Sequence, residues 1–331
     1  MREWDPGTAP AEELEAFVRT LNEVLRVDVP GEPTWETTMI REYLTVTLPG
    51  ERRVCWTAGS PHEAPGFANL LLMGDLGVIE VMVHPESRRR GMGRSLVAAA
   101  CQRAYQEGAS SLGVEVIGDT PAVAFWEALG FQCAYVERRS VLDLRRVDWQ
   151  RLEQMAAAVP TGYRIDYHVG GLPAELLNSY AAAKASRREA DGSDLELRPS
   201  SYDARRLAES LDTLNRRGMR PHLVLAIHEA TGDVAALTEV VTPAQHPTRA
   251  DQYDTIVVPT HRGRGLARAI KARMLFELRA AEPRLTEVQT WTALENDPIA
   301  EVNAELGYRP DRQWREYEVD VLSLKSRLGP T

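Results

Sequence analysis

Four arginines and two glycines stand together in Ser87–Ser95, SRRRGMGRS, directly after the apolar run Gly77–Pro85, GVIEVMVHP. A stretch of the same kind returns in Thr260–Arg268, THRGRGLAR, after Asp254–Pro259, DTIVVP. In both places an extended segment runs into a glycine-bearing turn and then a helical pattern. Such a turn presents backbone N–H groups that the helix itself leaves unpaired. The positive end of the helix dipole attracts anions, glycine lets a phosphate approach the backbone, and arginine adds forked, charged hydrogen bonds. Each loop is therefore a candidate phosphate or pyrophosphate cradle. The first comprises Arg88, Arg89, Arg90, Gly91, Met92, Gly93 and Arg94, the second Arg262, Gly263, Arg264, Gly265, Leu266 and Ala267. A single arginine-rich turn is ordinarily a solvated surface; recurrence with the same flanks argues against that here.

The surrounding pattern recurs as well. The first half reads as a helix over Ala11–Leu25, strands at Leu44–Leu48 and Arg52–Gly59, then two strands within Phe67–Pro85. A helix over Met92–Gly108, a strand at SLGVEVI, a helix from Pro121 and the strands of FQCAYVERRSVLDL complete it. The second half repeats this order. It has a hairpin over His222–Val241 turning at Thr231–Asp233, a strand at YDTIVVP and a helix ending before Pro283. A strand at TEVQTWT, a helix at PIAEVNAEL and a closing strand at WREYEVDVLSL follow. This is a tandem duplication with its join in Arg145–Gly162. The expected domains are residues 1–147 and 162–331, with 148–161 as linker; Ser186–Glu196 reads as a loop on the substrate side. The 331 residues, 44% hydrophobic and 26% charged, are those of a globular protein, with no bilayer-spanning apolar run and no secretory signal pattern. The expected location is cytoplasmic. Cys55, Cys101 and Cys133 have neither disulfide nor zinc spacing, so no metal is expected. A net charge of −9 disfavours nucleic acid and suits a cationic small molecule.

Neither loop has the third glycine of a dinucleotide fingerprint or the Gly-Lys-Ser/Thr of a P-loop. The pattern that fits is Arg/Gln-x-x-Gly-x-Gly/Ala, as Arg88-x-x-Gly91-x-Gly93 and Arg262-x-x-Gly265-x-Ala267. A second paired motif lies downstream, Asp119–Phe131 (DTPAVAFWEALGF) and Asn296–Tyr308 (NDPIAEVNAELGY). In these motifs both halves resemble the GNAT superfamily of N-acetyltransferases, and the tandem arrangement is similar to mycothiol synthase-like actinobacterial acetyltransferases. The resemblance implies an α/β (α+β) fold of two tandem domains, each with a mixed, mostly antiparallel sheet flanked by helices. It implies acetyl-CoA as cofactor, direct acetyl transfer to a small-molecule amine in a ternary complex, and a monomer or homodimer without membrane or nucleic-acid partners. A catalytically silent acetyl-CoA-binding protein is the alternative.

On this resemblance the strand before each loop, Val81, Met82 and Val83 or Thr255, Ile256 and Val257, offers backbone N–H to the thioester carbonyl. Alignment through Pro85 and Pro259 sets Glu80 against Asp254, acids in otherwise apolar strands and candidate general bases. The family's leaving-group tyrosine falls at Trp126 and Asn303, so Tyr135 or Tyr308, at the end of the motif or just past it, is the expected substitute. The family asparagine is Asp119 in the first half but is kept as Asn296 in the second, whence an expectation that the second half does the chemistry. His84 and His261, beside the cradles, read as loop residues.

Overall fold

The computed structural model describes residues 1–48, 50–60, 62–191, 203–244, 246–294 and 298–329. In chain order its elements are β1 (Arg2–Trp4), α1 (Ala11–Asp28), α2 (Thr37–Thr45), β2 (Glu51–Ala58), β3 (Gly66–Met73), β4 (Leu76–Val83), α3 (Met92–Gln106), β5 (Ser111–Ile117) and α4 (Pro121–Ala128). There follow β6 (Gln132–Asp143), α5 (Trp149–Ala157), β7 (Tyr163–Val169), α6 (Ala174–Asp191), α7 (Ala204–Arg216), β8 (Met219–His228) and β9 (Val234–Pro243). The last are β10 (Arg249–Val257), α8 (Leu266–Ala281), β11 (Glu287–Ala293), α9 (Pro298–Leu306), β12 (Arg309–Asp320) and α10 (Val321–Leu328).

Two compact units result: unit 1 is Met1–Val136 with Gln313–Thr331, and unit 2 is Glu137–Arg312. This corrects the expected division at 147 and 162, and strand pairing is the reason. Trp314–Asp320 of β12 run antiparallel to β5 in unit 1, while Glu137–Asp143 of β6 run antiparallel to β11 in unit 2. Each sequence half thus supplies the last strand of the sheet begun by the other. The expected linker is also part of unit 2, where Leu152 and Met155 of α5 are buried in the core.

Unit 1 has the strand order β1-β2-β3-β4-β5-β12, antiparallel except between β4 and β5. Unit 2 repeats it as β7-β8-β9-β10-β11-β6, with β10 and β11 parallel. Alternation along the strands gives each sheet two apolar faces. In unit 1 the face of α3 bearing Leu96, Val97, Ala100 and Cys101 joins one cluster with Leu70, Ile79 and Tyr317. A second cluster joins Phe17, Leu21, Ile40 and Leu44 of α1 and α2 to Trp4 and Phe67, with the Phe17 and Phe67 rings 4.3 Å apart. In unit 2, α8 supplies Leu266, Ile270, Met274 and Leu278 to one cluster. Leu176, Tyr180, Leu207 and Leu211 of α6 and α7 form the other.

Two expected strands differ. Leu44–Leu48 is not a strand: Ile40, Tyr43 and Leu44 fall at helical spacing, burial of Ile40 and Leu44 draws Leu44 and Thr45 into the end of α2, and Val46–Leu48 form no regular element. The expected closing strand stops at Asp320, whose carboxylate accepts the Ser323 N–H at 2.7 Å and starts α10. Pro49, Asn296 and the part of the expected substrate-side loop after Asp191 lie outside the described residues. Among the described residues no helix is long and apolar enough to cross a membrane.

Candidate active site

In unit 1 the strand that ends in the cradle is splayed from its parallel neighbour. β4 pairs with β5 only over Leu76–Val78, although β4 continues to Val83 and β5 to Ile117. On the β3 side the ladder is continuous to Val83. From Ile79 onward β4 therefore has a ladder partner on one side only, and the alternate backbone groups facing the other side are open to a ligand. Val81 and Val83 pack with the α3 cluster and Met82 with the α1 cluster.

Past Val83 the chain makes a 3-10 turn, Pro85–Ser87, in which His84 Nδ1 accepts the Glu86 N–H at 3.4 Å. Gly91 then takes φ +82° at the N-cap of α3, a conformation that suits glycine, and Arg89 is also left-handed at +63°. Nothing lies within 4 Å of where a Gly91 Cβ would project, whereas one on Gly93 would press on the Phe125 ring at 3.2 Å. The first turn of α3 thus turns its N–H groups toward an open, glycine-lined surface, as a pyrophosphate requires. Arg89, Arg90 and Gly91 are exposed. Arg88 and Arg94 serve the protein itself: Arg88 donates two bonds to Asp28 (2.8 and 2.6 Å) and one to Val83 O (3.1 Å), and Arg94 donates to Arg327 O (2.8 Å).

Glu80 stands two residues past the last β4–β5 pair. Its carboxylate accepts the Tyr43 hydroxyl and the Asn69 side-chain N–H (2.8 Å), and it makes no ion pair among the described residues. Burial, reinforced by the Glu80 charge, pushes the Tyr43 hydroxyl far above its ordinary pKa, so it stays a donor. Glu80 is half-buried.

Unit 2 builds the same scaffold with other chemistry at the acid. β10 pairs with β11 over Arg249–Gln252, and the register with β9 shifts between Gln252 and Thr255. Gly263 and Gly265 have φ +73° and +80°, and Arg262 donates to Val257 O at 3.2 Å. Gly265 caps α8, Leu266 is buried beneath it, and Gly263 and Arg264 are exposed. Asp254, two residues past the last pair, is bound by Lys184 Nζ at 2.8 Å. The same ammonium donates to both oxygens of Glu239 at 2.9 and 3.0 Å, and Tyr180 donates to Glu239.

Tyr308 reaches β10, the strand of Asp254, but meets it at Gln252 and not at the acid. It is 5% exposed, its hydroxyl is spent on Gln252 Oε1 at 2.9 Å, and burial raises its pKa. Trp126 and Asn303, at the family tyrosine position, are both 3% exposed. Asp119 occupies a left-handed turn at φ +62°, which Asp and Asn tolerate. His261 bonds Tyr163 at 2.7 Å in the loop. Asn69, Glu239, Lys184, Tyr43 and Asp28 were not singled out in the sequence. Asn69 and Glu239 were visible as polar residues inside apolar strands; for the other three there was no comparable signal.

Residues 16–131 match the model of the acetyltransferase (GNAT) family. That segment is similar to the family, and the whole chain has a tandem GNAT fold. A mycothiol acetyltransferase of Gordonia bronchialis is 28% identical over 283 residues, 82% of this chain and 79% of that protein. One from Frankia casuarinae is 33% identical over 103 residues, 30% of this chain and only 29% of the relative. A tandem GNAT protein from the clavulanic acid biosynthesis pathway superposes with a TM-score of 0.83 at 24% identity, covering 99% of this chain and 98% of that one.

Proposed function

We propose that the protein transfers an acetyl group from acetyl-CoA to the amine of a small molecule, and that unit 1 performs the chemistry. The observation that carries this reading is Glu80: a carboxylate without an ion pair among the described residues, held by Tyr43 and Asn69 where β4 parts from β5, just ahead of the glycine-lined start of α3. When bound, acetyl-CoA supplies an activated thioester. Arg89, Arg90 and the N–H groups of Gly91, Met92, Gly93 and Arg94 hold its pyrophosphate. The open edge of Val81–Val83 donates a backbone N–H to the thioester carbonyl. Glu80 takes a proton from the acceptor ammonium, directly or through one water, so that the amine can attack. The Tyr43 hydroxyl beside Glu80, its pKa pushed far up by burial, is a poor acid for the leaving thiolate, which is a sufficiently good leaving group to depart unaided. The second loop, Arg262–Ala267 with the Thr255–Val257 edge, holds a second acetyl-CoA without turnover. This reverses the expectation that the second half is the catalytic one, because Asp254 is already paired with Lys184.

The relatives named for mycothiol support a small polar acceptor; at 28% identity the class, a small-molecule amine, is what we carry over. The test is acetyl-CoA-dependent thiol release with a panel of small amines. Turnover that is lost in Gly91→Glu/Gly93→Glu and kept in Gly265→Glu/Ala267→Glu is the expected result. No thiol release with any amine contradicts the reading.

A further inference from the structure

Unit 2 contains a complete ammonium-binding site, and its occupant is part of the chain. Lys184 Nζ lies 2.8 Å from Asp254 Oδ2, 2.9 Å from Glu239 Oε1 and 3.0 Å from Glu239 Oε2. Two carboxylates thus converge on one ammonium, and their side chains are only 9% and 19% exposed, against 10% for the lysine. The Tyr180 hydroxyl donates to Glu239 and so orients that carboxylate. Asp254 occupies the position in β10 that Glu80 occupies in β4, two residues beyond the last parallel pair.

The two units differ at the helix that faces this acid. Counted from their first residues, Tyr180 and Lys184 of α6 correspond to Phe17 and Leu21 of α1. Those two are buried apolar residues, so in unit 1 no ammonium reaches Glu80 from α1. In unit 2 a single apolar position has become a lysine, and the strand opposite carries Glu239 where unit 1 has the neutral Asn69. The substitution is paired, cation with anion, as a built site requires.

We propose that Lys184 is a built-in occupant of unit 2's acceptor site: its ammonium holds the place that a primary alkylammonium takes beside the acid of the splayed strand, and so excludes external amines. The proposal rests on the reading of that strand as the acceptor side. Burial works against the lysine's charge, yet Glu239 and Asp254 outweigh it and hold its pKa well above the ordinary value. A lysine kept protonated has no lone pair for the thioester, so Lys184 plugs the site without being acetylated.

Chemical rescue tests this directly. Lys184→Ala deletes the equivalent of n-propylammonium and leaves two buried carboxylates without their cation. Its Tm is expected to fall on the order of 10 °C. Millimolar n-propylammonium restores most of that loss, whereas n-propanol, which fills the same space without charge, does not. Absence of rescue, or equal rescue by the alcohol, overturns the proposal. Should the single variant fail to fold, Lys184→Ala/Glu239→Gln, which leaves one buried acid, is read in the same way. On the wild-type protein, peptide mass spectrometry after incubation with acetyl-CoA is expected to find Lys184 unmodified; its acetylation overturns the plug. These readouts need no turnover. A failure of the acetyl-transfer reading shows instead as absent thiol release from the wild-type protein with the amine panel.

Discussion

Arg88 looks in the sequence like a phosphate ligand, yet its guanidinium is committed to Asp28 at the end of α1 and to the last carbonyl of β4. It shapes the cradle that Arg89 and Arg90 complete. Arg88→Ala is expected to cost about 1–3 kcal/mol of stability, the usual range for charged hydrogen bonds, and Asp28→Ala a similar amount. Chemical denaturation of both single variants and the double variant checks this, because the double should cost little more than either single. His222 carries a second consequence at this scale. It is 0% exposed, bonded to Tyr167 (2.7 Å) and Thr242 (3.1 Å), and burial holds its pKa below the ordinary 6.5 despite Glu282 at 3.4 Å. The unfolded chain therefore takes up the proton first, so His222's contribution is complete above about pH 6.5 and declines as the pH falls below it. Thermal melts between pH 7.5 and 5.5 are expected to fall more steeply for the wild type than for His222→Asn. The acids Glu80 and Asp254 were legible because charge inside an apolar strand stands out. What sets them apart was not, since Lys184 and Tyr43 reach them from other elements far along the chain.

At the scale of elements, the strand–turn–helix units were legible because each is local: apolar strand, glycine turn and helical stripe follow one another in sequence. Leu44–Leu48 was misread for the same reason in reverse. Its β-branched alternation suggests a strand, but Ile40 and Leu44 bury a helical face against α1, and packing overrides local preference. The splay of β4 from β5 is a property of two strands together and leaves no mark in either alone. Gly91 makes the cradle possible by its positive φ. Gly91→Ala is expected to lose roughly 1–2 kcal/mol from that backbone strain and to weaken acetyl-CoA binding. Calorimetric titration beside a thermal melt checks both, and an unchanged Kd would separate Gly91 from the cofactor.

For the whole molecule, duplication is evident in the sequence, but the division of strands between the units is not. Periodicity says that β6 and β12 are strands and is silent on their partners. Because β12 and α10 complete unit 1, a fragment of residues 1–147 lacks Tyr317, Val319, Val321 and Leu324 of its core and leaves β5 as an open edge. Such a fragment is expected to be insoluble or molten, and adding residues 313–331 in trans to restore a cooperative melt. A fragment 1–147 with a sharp native transition would contradict this division. The two units also differ at the acid: among the described residues Glu80 makes no ion pair, whereas Asp254 is bound by Lys184.

The central claim is that Glu80 works and Asp254 does not. The most direct measurement compares kcat for Glu80→Gln and Asp254→Asn at saturating acetyl-CoA with an amine that the wild type acetylates. A loss of about 10²- to 10³-fold for Glu80→Gln, with Asp254→Asn near wild type, is the expected result. Retained turnover in Glu80→Gln and loss in Asp254→Asn would place the chemistry in unit 2 and contradict the account.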